Sequence, residues 1–149
     1  MDVIRRNTDY ALRLMALLAV FFQKKESVSA RSLSQNTVVP YPVTCKLLQK
    51  LQKREIVKSA MGPQGGYILA RNPEQISFLV VIETIQGPIS INRCFLGAYK
   101  CPMKGKCSLH GKLIKLQDEI INSLRHAKIT ELVSDERVEK ENINENVSE

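Results

Sequence analysis

The chain has 149 residues, 44% of them apolar and 25% charged, enough for one ordinary domain with a packed core. Its formal charge is +7, but residues 134–149 carry six acidic and two basic side chains, which leaves residues 1–133 at +11. A body so basic suits nucleic acid or an anionic membrane surface, and a spanning protein is excluded because no segment approaches the roughly 18 consecutive apolar residues of a membrane helix.

The first helix is predicted from Thr8, an N-cap residue type, to Gln23. Leu12, Leu14, Met15, Leu17, Leu18 and Phe21 make it apolar nearly all round, so other elements must bury it. The apolar run at 14–22 does not read as a secretory signal: Asp9 and Arg13 interrupt its flank, and no small-residue cleavage site precedes QKKES. A cytoplasmic protein is expected. Ser29 caps a short helix through Gln35, NTVVPYP breaks it, and a second helix runs from Pro42 to Arg54.

On that second helix Val43, Leu47, Leu48 and Leu51 fall within an arc of roughly 140°. Pro42, Cys45, Lys46, Gln49 and Lys53 lie opposite. The runs EIVKSA and GYILA, joined by MGPQG, read as a hairpin. Helix, turn, helix, hairpin is the winged-helix order.

Ser77 caps a helix of about ten residues that carries Val80, Val81, Ile82 and Ile85 and stops at GPIS. From Ser108 to Ala127, Leu109, Leu113, Ile114, Leu116, Ile120, Ile121 and Leu124 form the stripe of a long amphipathic helix. So small a domain has nothing left for that stripe to cover, so a second copy of the chain is the expected partner. The final VEKENINENVSE has no apolar period and reads as disordered. The expected fold is mainly α with a small β-hairpin wing. Residues 1–87 form the winged helix-turn-helix, 88–107 a cysteine-rich loop, 108–133 the dimerisation helix and its end, and 134–149 an acidic tail.

In a helix-turn-helix the second helix enters the major groove, its N-terminal residues meeting base edges while nearby cations grip phosphates. Tyr41, Pro42, Cys45, Lys46 and Gln49 are the expected contacts, with Lys53 further along, Lys58 on the wing and Gln64 in its turn. The Gln49 amide can pair with N6 and N7 of adenine. Gly62, Gly65 and Gly66 would let the hairpin turn tightly and approach a backbone closely.

Three of the four cysteines and one of the two histidines lie in CFLGAYKCPMKGKCSLH, with the spacing C-x6-C-x5-C-x2-H through Cys94, Cys101, Cys107 and His110. In the cytoplasm such a set binds metal more often than it forms disulfides. The gaps exceed the C-x2-4-C pair usual in structural zinc sites, whereas an iron-sulfur cluster needs ligands spread around it. On spacing alone a cluster, zinc and a metal-free thiol switch all remain open.

The segments TDYALRLM, VTCKLLQKLQKREIV, GPQGGYILARNPEQI, the GPI after the fourth helix and the three-cysteine loop together resemble the Rrf-two family of bacterial transcription regulators, with its IscR-like and NsrR-like branches. The likeness runs in order over residues 3 to 133. It implies a homodimeric winged-helix regulator, taken as a repressor, that binds a double-stranded DNA operator and in many members carries an iron-sulfur cluster. Cys94, Cys101 and Cys107 match the cluster cysteines. The fourth ligand would be His110, as in IscR-like members with a 2Fe-2S cluster, or Asp9, which NsrR-like members supply from the opposite subunit to a 4Fe-4S cluster.

This chain departs from the family in its wing, where Met61 stands in place of a common Arg. The recognition-helix readers fall on Pro40, Pro42 and Cys45, so specificity is expected to lean on Tyr41, Lys46, Gln49 and DNA shape. The expected function is cluster-controlled operator binding that senses nitric oxide, redox state or iron-sulfur supply. The alternative is thiol oxidation without a cluster. An enzyme is not expected, since the chain has no Gly-rich nucleotide fingerprint and no nucleophile-base or paired-carboxylate motif.

Overall fold

A computed structural model describes residues 2–133; the acidic tail expected over 134–149 lies outside the described residues. In chain order, α1 is Arg6–Lys24, α2 Ala30–Thr37, α3 Tyr41–Lys53, β1 Val57–Ala60, β2 Gly66–Leu69, α4 Phe78–Gln86 and α5 His110–His126. Single 3-10 turns at Pro73–Gln75 and Arg93–Phe95 complete the described elements.

The core forms around α1, which packs against α2, α3, α4 and β2. Leu14, Met15 and Leu18 from α1 meet Leu33 of α2, Leu47, Leu48 and Leu51 of α3, and Ile56, Leu69 and Ile85 beyond them. The near-continuous apolar surface of α1 is used on several sides, as expected of a helix without a polar face. On α3 the fully buried residues are Thr44, Leu47, Leu48 and Leu51, while Val43 is only partly covered. Thr44 tolerates burial because its hydroxyl reaches the Val39 carbonyl.

The predicted caps at Ser29 and Ser77 form: each hydroxyl accepts an amide hydrogen bond three residues on, from Ser32 and Val80. The predicted cap at Thr8 does not. The helix begins two residues earlier, after Arg5, and Thr8 is fully buried inside it. The cause is Gln86, distant in sequence, whose Oε1 accepts both the Arg5 amide at 3.0 Å and the Thr8 hydroxyl at 2.7 Å. Its Nε2 donates to the Val3 carbonyl. One side chain thus holds the residues on either side of the helix start from outside α1.

The turn between α2 and α3 passes through Val38, at φ 55°, with 81% of its surface exposed. A β-branched residue is disfavoured in this left-handed conformation, whereas glycine adopts it freely. Val38→Gly is therefore expected to stabilise the fold by about 1 kcal/mol, seen as a rise of roughly 3 °C in the thermal midpoint.

The hairpin pairs Val57 with Leu69 and Ala60 with Gly66 in antiparallel register. β2 also pairs on its other edge, where Tyr67 and Val28 exchange both backbone hydrogen bonds. That third strand segment explains Gly66, where a Cβ would collide with the Val28 carbonyl. The close approach foreseen for the wing glycines is, at Gly66, an approach to the chain's own backbone. Arg71 closes the far end of α3, donating to the Arg54 and Glu55 carbonyls.

The α5 stripe is shared between two surfaces, a correction to the expectation that it has nothing to cover within the domain. Ile121 and Leu124 pack on Leu79, Ile82 and Ile89 in a second small core. The remaining apolar residues stay outside, with Leu109 and Leu116 57% and 48% exposed. The helix starts at His110 rather than Ser108. After α5 the chain returns to the main core: Ile129 and Val133 are buried, and Ile129 donates to the Ile76 carbonyl at 3.0 Å. The C-terminal half of α5 is thereby tied to the winged-helix body.

Candidate nucleic-acid interface and cysteine pocket

The outer face of α3 carries the residues expected to read DNA. Tyr41, Pro42, Lys46, Gln49 and Lys53 are exposed and Cys45 is half-buried among them. Lys58 on β1 and Gln64 in the wing turn are exposed on the hairpin, and the turn is held down where the Ser27 hydroxyl donates to the Gln64 carbonyl at 2.6 Å. Met61 stands 95% exposed near the wing tip.

Tyr41 and Cys45, one helical turn apart, interact directly. The hydrogen bond with Cys45, followed by the nearby Cys45 charge, raises the Tyr41 pKa above the ordinary phenol value. The Arg31 guanidinium pulls the other way and does not prevail. Sequence reasoning missed Arg31, in the first turn of α2, whose guanidinium lies over the Tyr41 ring at 5.7 Å. Only the tertiary crossing of α2 and α3 brings the two together.

Behind α4 and beside α5, the cysteine loop is a run of tight turns. Backbone amides of Leu96, Tyr99, Lys104 and Lys106 each donate three residues back. The loop's start is fastened to α5, whose Gln117 Oε1 accepts the Ile91 amide at 3.1 Å. The turns fold around a cavity of about 730 Å³ that Cys94, Cys101, Cys107 and His110 all line. That volume falls within the about 300–1,000 Å³ typical of ligand pockets. The His110 ring lies 5.5 Å from that of Phe95, which steadies it against the pocket wall.

The four cysteines are free thiols. Among the described residues no three His, Cys, Asp or Glu side chains converge tightly enough for a single metal ion. The donors do fit a larger sulfur-ligated group: three soft thiols and an imidazole share one cavity, and Lys100 and Lys104 on its wall suit negative charge. The first turn of α5 also opens on this cavity without a side-chain cap, leaving helix N–H groups for an anionic neighbour. Cys45 is on the other face and takes no part. Asp9 is not among the cavity residues either; it forms an ion pair with Arg13 at 2.8 Å on α1.

Two links, neither foreseen from sequence, join the end of α4 to α3 and α1. Lys50 of α3 donates to the Ile85 carbonyl at 3.3 Å, and Gln86 holds the start of α1 as described above. Both acceptor positions lie in the last turn of α4, directly before Gly87 and the loop.

Residues 4–135 match the family described as Rrf2, iron-dependent transcriptional regulator. The transcriptional regulator IscR of Sodalis glossinidius is 30% identical over 129 residues, covering 87% of this chain and 77% of the relative. The repressor NsrR of Streptomyces coelicolor is 28% identical over 127 residues, covering 85% of each protein. In three dimensions the chain is similar to CymR, described as the global cysteine regulator of B. subtilis, with a TM-score of 0.75 at 24% identity over 90% of this chain and 98% of that one. The winged-helix order is thus that of solved regulators, and the match leaves the expectation of a non-enzyme standing. Among the described residues no helix is long and apolar enough to cross a membrane. Architecture and family match agree: the chain belongs to the Rrf2 family of DNA-binding transcriptional regulators.

Proposed function

We propose that the protein is a homodimeric regulator whose operator binding is set by an iron-sulfur cluster, 2Fe-2S or 4Fe-4S, held at Cys94, Cys101 and Cys107. Residues 1–87 read DNA, 88–107 sense, and 108–133 pair two copies. The observation that carries this reading is the single cavity in which those three thiols meet His110 beside the uncapped start of α5. When bound, the cluster supplies reactivity toward nitric oxide and oxidants.

The chain's own residues account for transmission. A change in the turns of the loop alters the end of α4 at Gly87, where Lys50 and Gln86 hold α3 and α1. Through α5 the same change reaches the pairing of two copies and so the spacing of two recognition helices. On α3, Tyr41, Pro42, Cys45, Lys46 and Gln49 face base edges, with Gln49 reading adenine. Lys53, Lys58 and Gln64 contact the phosphate backbone on either side.

His110 lines the pocket within one chain and is taken as the fourth ligand; Asp9, the alternative, would reach it from a second copy. The expected result is that His110→Ala changes the visible spectrum of anaerobically iron-loaded protein and Asp9→Ala does not. A change in Asp9→Ala alone moves the ligand to the second copy, and no change in either discards both residues. A second reading rests on the same free thiols: two of the three oxidise to a disulfide, giving two electrons and two protons to an oxidant such as peroxide. Protein that lacks iron and sulfide after anaerobic loading, yet changes DNA affinity with peroxide, supports it.

A further inference from the structure

Arg31 is exposed in the first turn of α2, a place where nothing in the fold explains a cation. A basic side chain there opposes the helix dipole, the first turn holds no acidic residue, and among the described residues no carboxylate pairs with Arg31. The guanidinium instead lies over the ring of Tyr41, the first residue of α3. A guanidinium placed over a ring leaves an N–H edge free for another acceptor, and that edge matches the two oxygens of a phosphate. In a helix-turn-helix the first helix crosses the DNA backbone while the second enters the groove, which brings this edge alongside the phosphates flanking the recognition helix.

We propose that Arg31 is a backbone-phosphate contact pre-set by stacking on Tyr41, and that the pair fixes the register of α3 on the duplex. This rests on the reading of α3 as the recognition helix. The contact carries no base information; it decides where Gln49 and Lys46 fall. It also supplies a cation beside a reading face whose family positions, Pro40, Pro42 and Cys45, hold no basic residue.

The test measures affinity of full-length protein for two fluorescent duplexes, one selected by the wild type from a random pool and one of random sequence, over a range of salt. Arg31→Ala is expected to weaken both about tenfold near 0.1 M salt and to make the log–log salt slope shallower by about 1 per protomer. Arg31→Lys should keep the slope and recover only part of the affinity, because charge survives and stacking does not. Tyr41→Ala should weaken binding more in the wild-type background than in the Arg31→Ala background, because part of its effect acts through Arg31. An unchanged slope in Arg31→Ala, or a loss confined to the selected duplex, overturns the phosphate assignment. Equal losses from Tyr41→Ala in the two backgrounds overturn the pairing of Arg31 with Tyr41. If the wild type binds neither duplex in a salt-dependent way, the recognition-helix reading itself fails, whatever Arg31 does.

Discussion

Cys107→Ala is expected to abolish iron loading while leaving the winged helix folded. Cys107 lies in the loop outside the buried core, at the mouth of the α5 N-terminus, so its loss opens no core cavity. The two remaining thiols and His110 would then be too few to hold a cluster. Iron and acid-labile sulfide per chain should fall to background, and DNA affinity should stop responding to nitric oxide. Circular dichroism and the thermal midpoint of the metal-free protein should match those of the metal-free wild type. A variant that still loads iron as the wild type does contradicts the pocket assignment.

Leu116→Glu is expected to have the second large effect, through pairing. Leu109, Leu113, Leu116 and Ile120 recur at alternating steps of four and three, the spacing of a helical seam, and Leu116 is 48% exposed in the single chain. A charge at its centre costs little in the isolated chain but must be desolvated when two copies meet. Sedimentation should give a monomer. Affinity for the selected duplex should fall about 10²- to 10⁴-fold, the advantage of linking two half-site contacts. Ile121→Glu serves as the contrast, because Ile121 packs on Leu79, Ile82 and Ile89 and its loss should unfold the smaller core instead. A Leu116→Glu protein that remains dimeric with full affinity places the pairing surface elsewhere.

What could be read from the chain, and what could not, follows the range of each interaction. Ser29 and Ser77 signal helix starts through hydrogen bonds that span three residues, so sequence alone located them. Thr8 carries the same local signal, but Gln86 captured its hydroxyl and moved the boundary. The apolar arc of α3 was legible apart from Thr44, a polar residue whose burial depends on one carbonyl of the preceding turn. Ile129 and Val133, two apolar residues without a period, gave no sign that the chain turns back into the core after α5.

The site divides in the same way. Cysteine spacing and the place of His110 beside the last cysteine announced a shared pocket, because all four lie in one short loop and the helix it feeds. Asp9 lies on α1, where the predicted first helix placed it, and pairs there with Arg13; as a ligand it was expected only from the opposite subunit. Arg31 and Lys50 had no motif to reveal them. Each gains meaning only from a contact across helices, with Tyr41 in one case and the Ile85 carbonyl in the other.

The central claim, that one pocket governs DNA binding, is tested most directly by titrating anaerobically iron-loaded wild-type protein with nitric oxide while recording its visible spectrum and its affinity for the selected duplex together. The account predicts that affinity changes in step with the loss of the cluster absorbance, and that Cys107→Ala shows neither change. An affinity that stays constant while the absorbance disappears would contradict it.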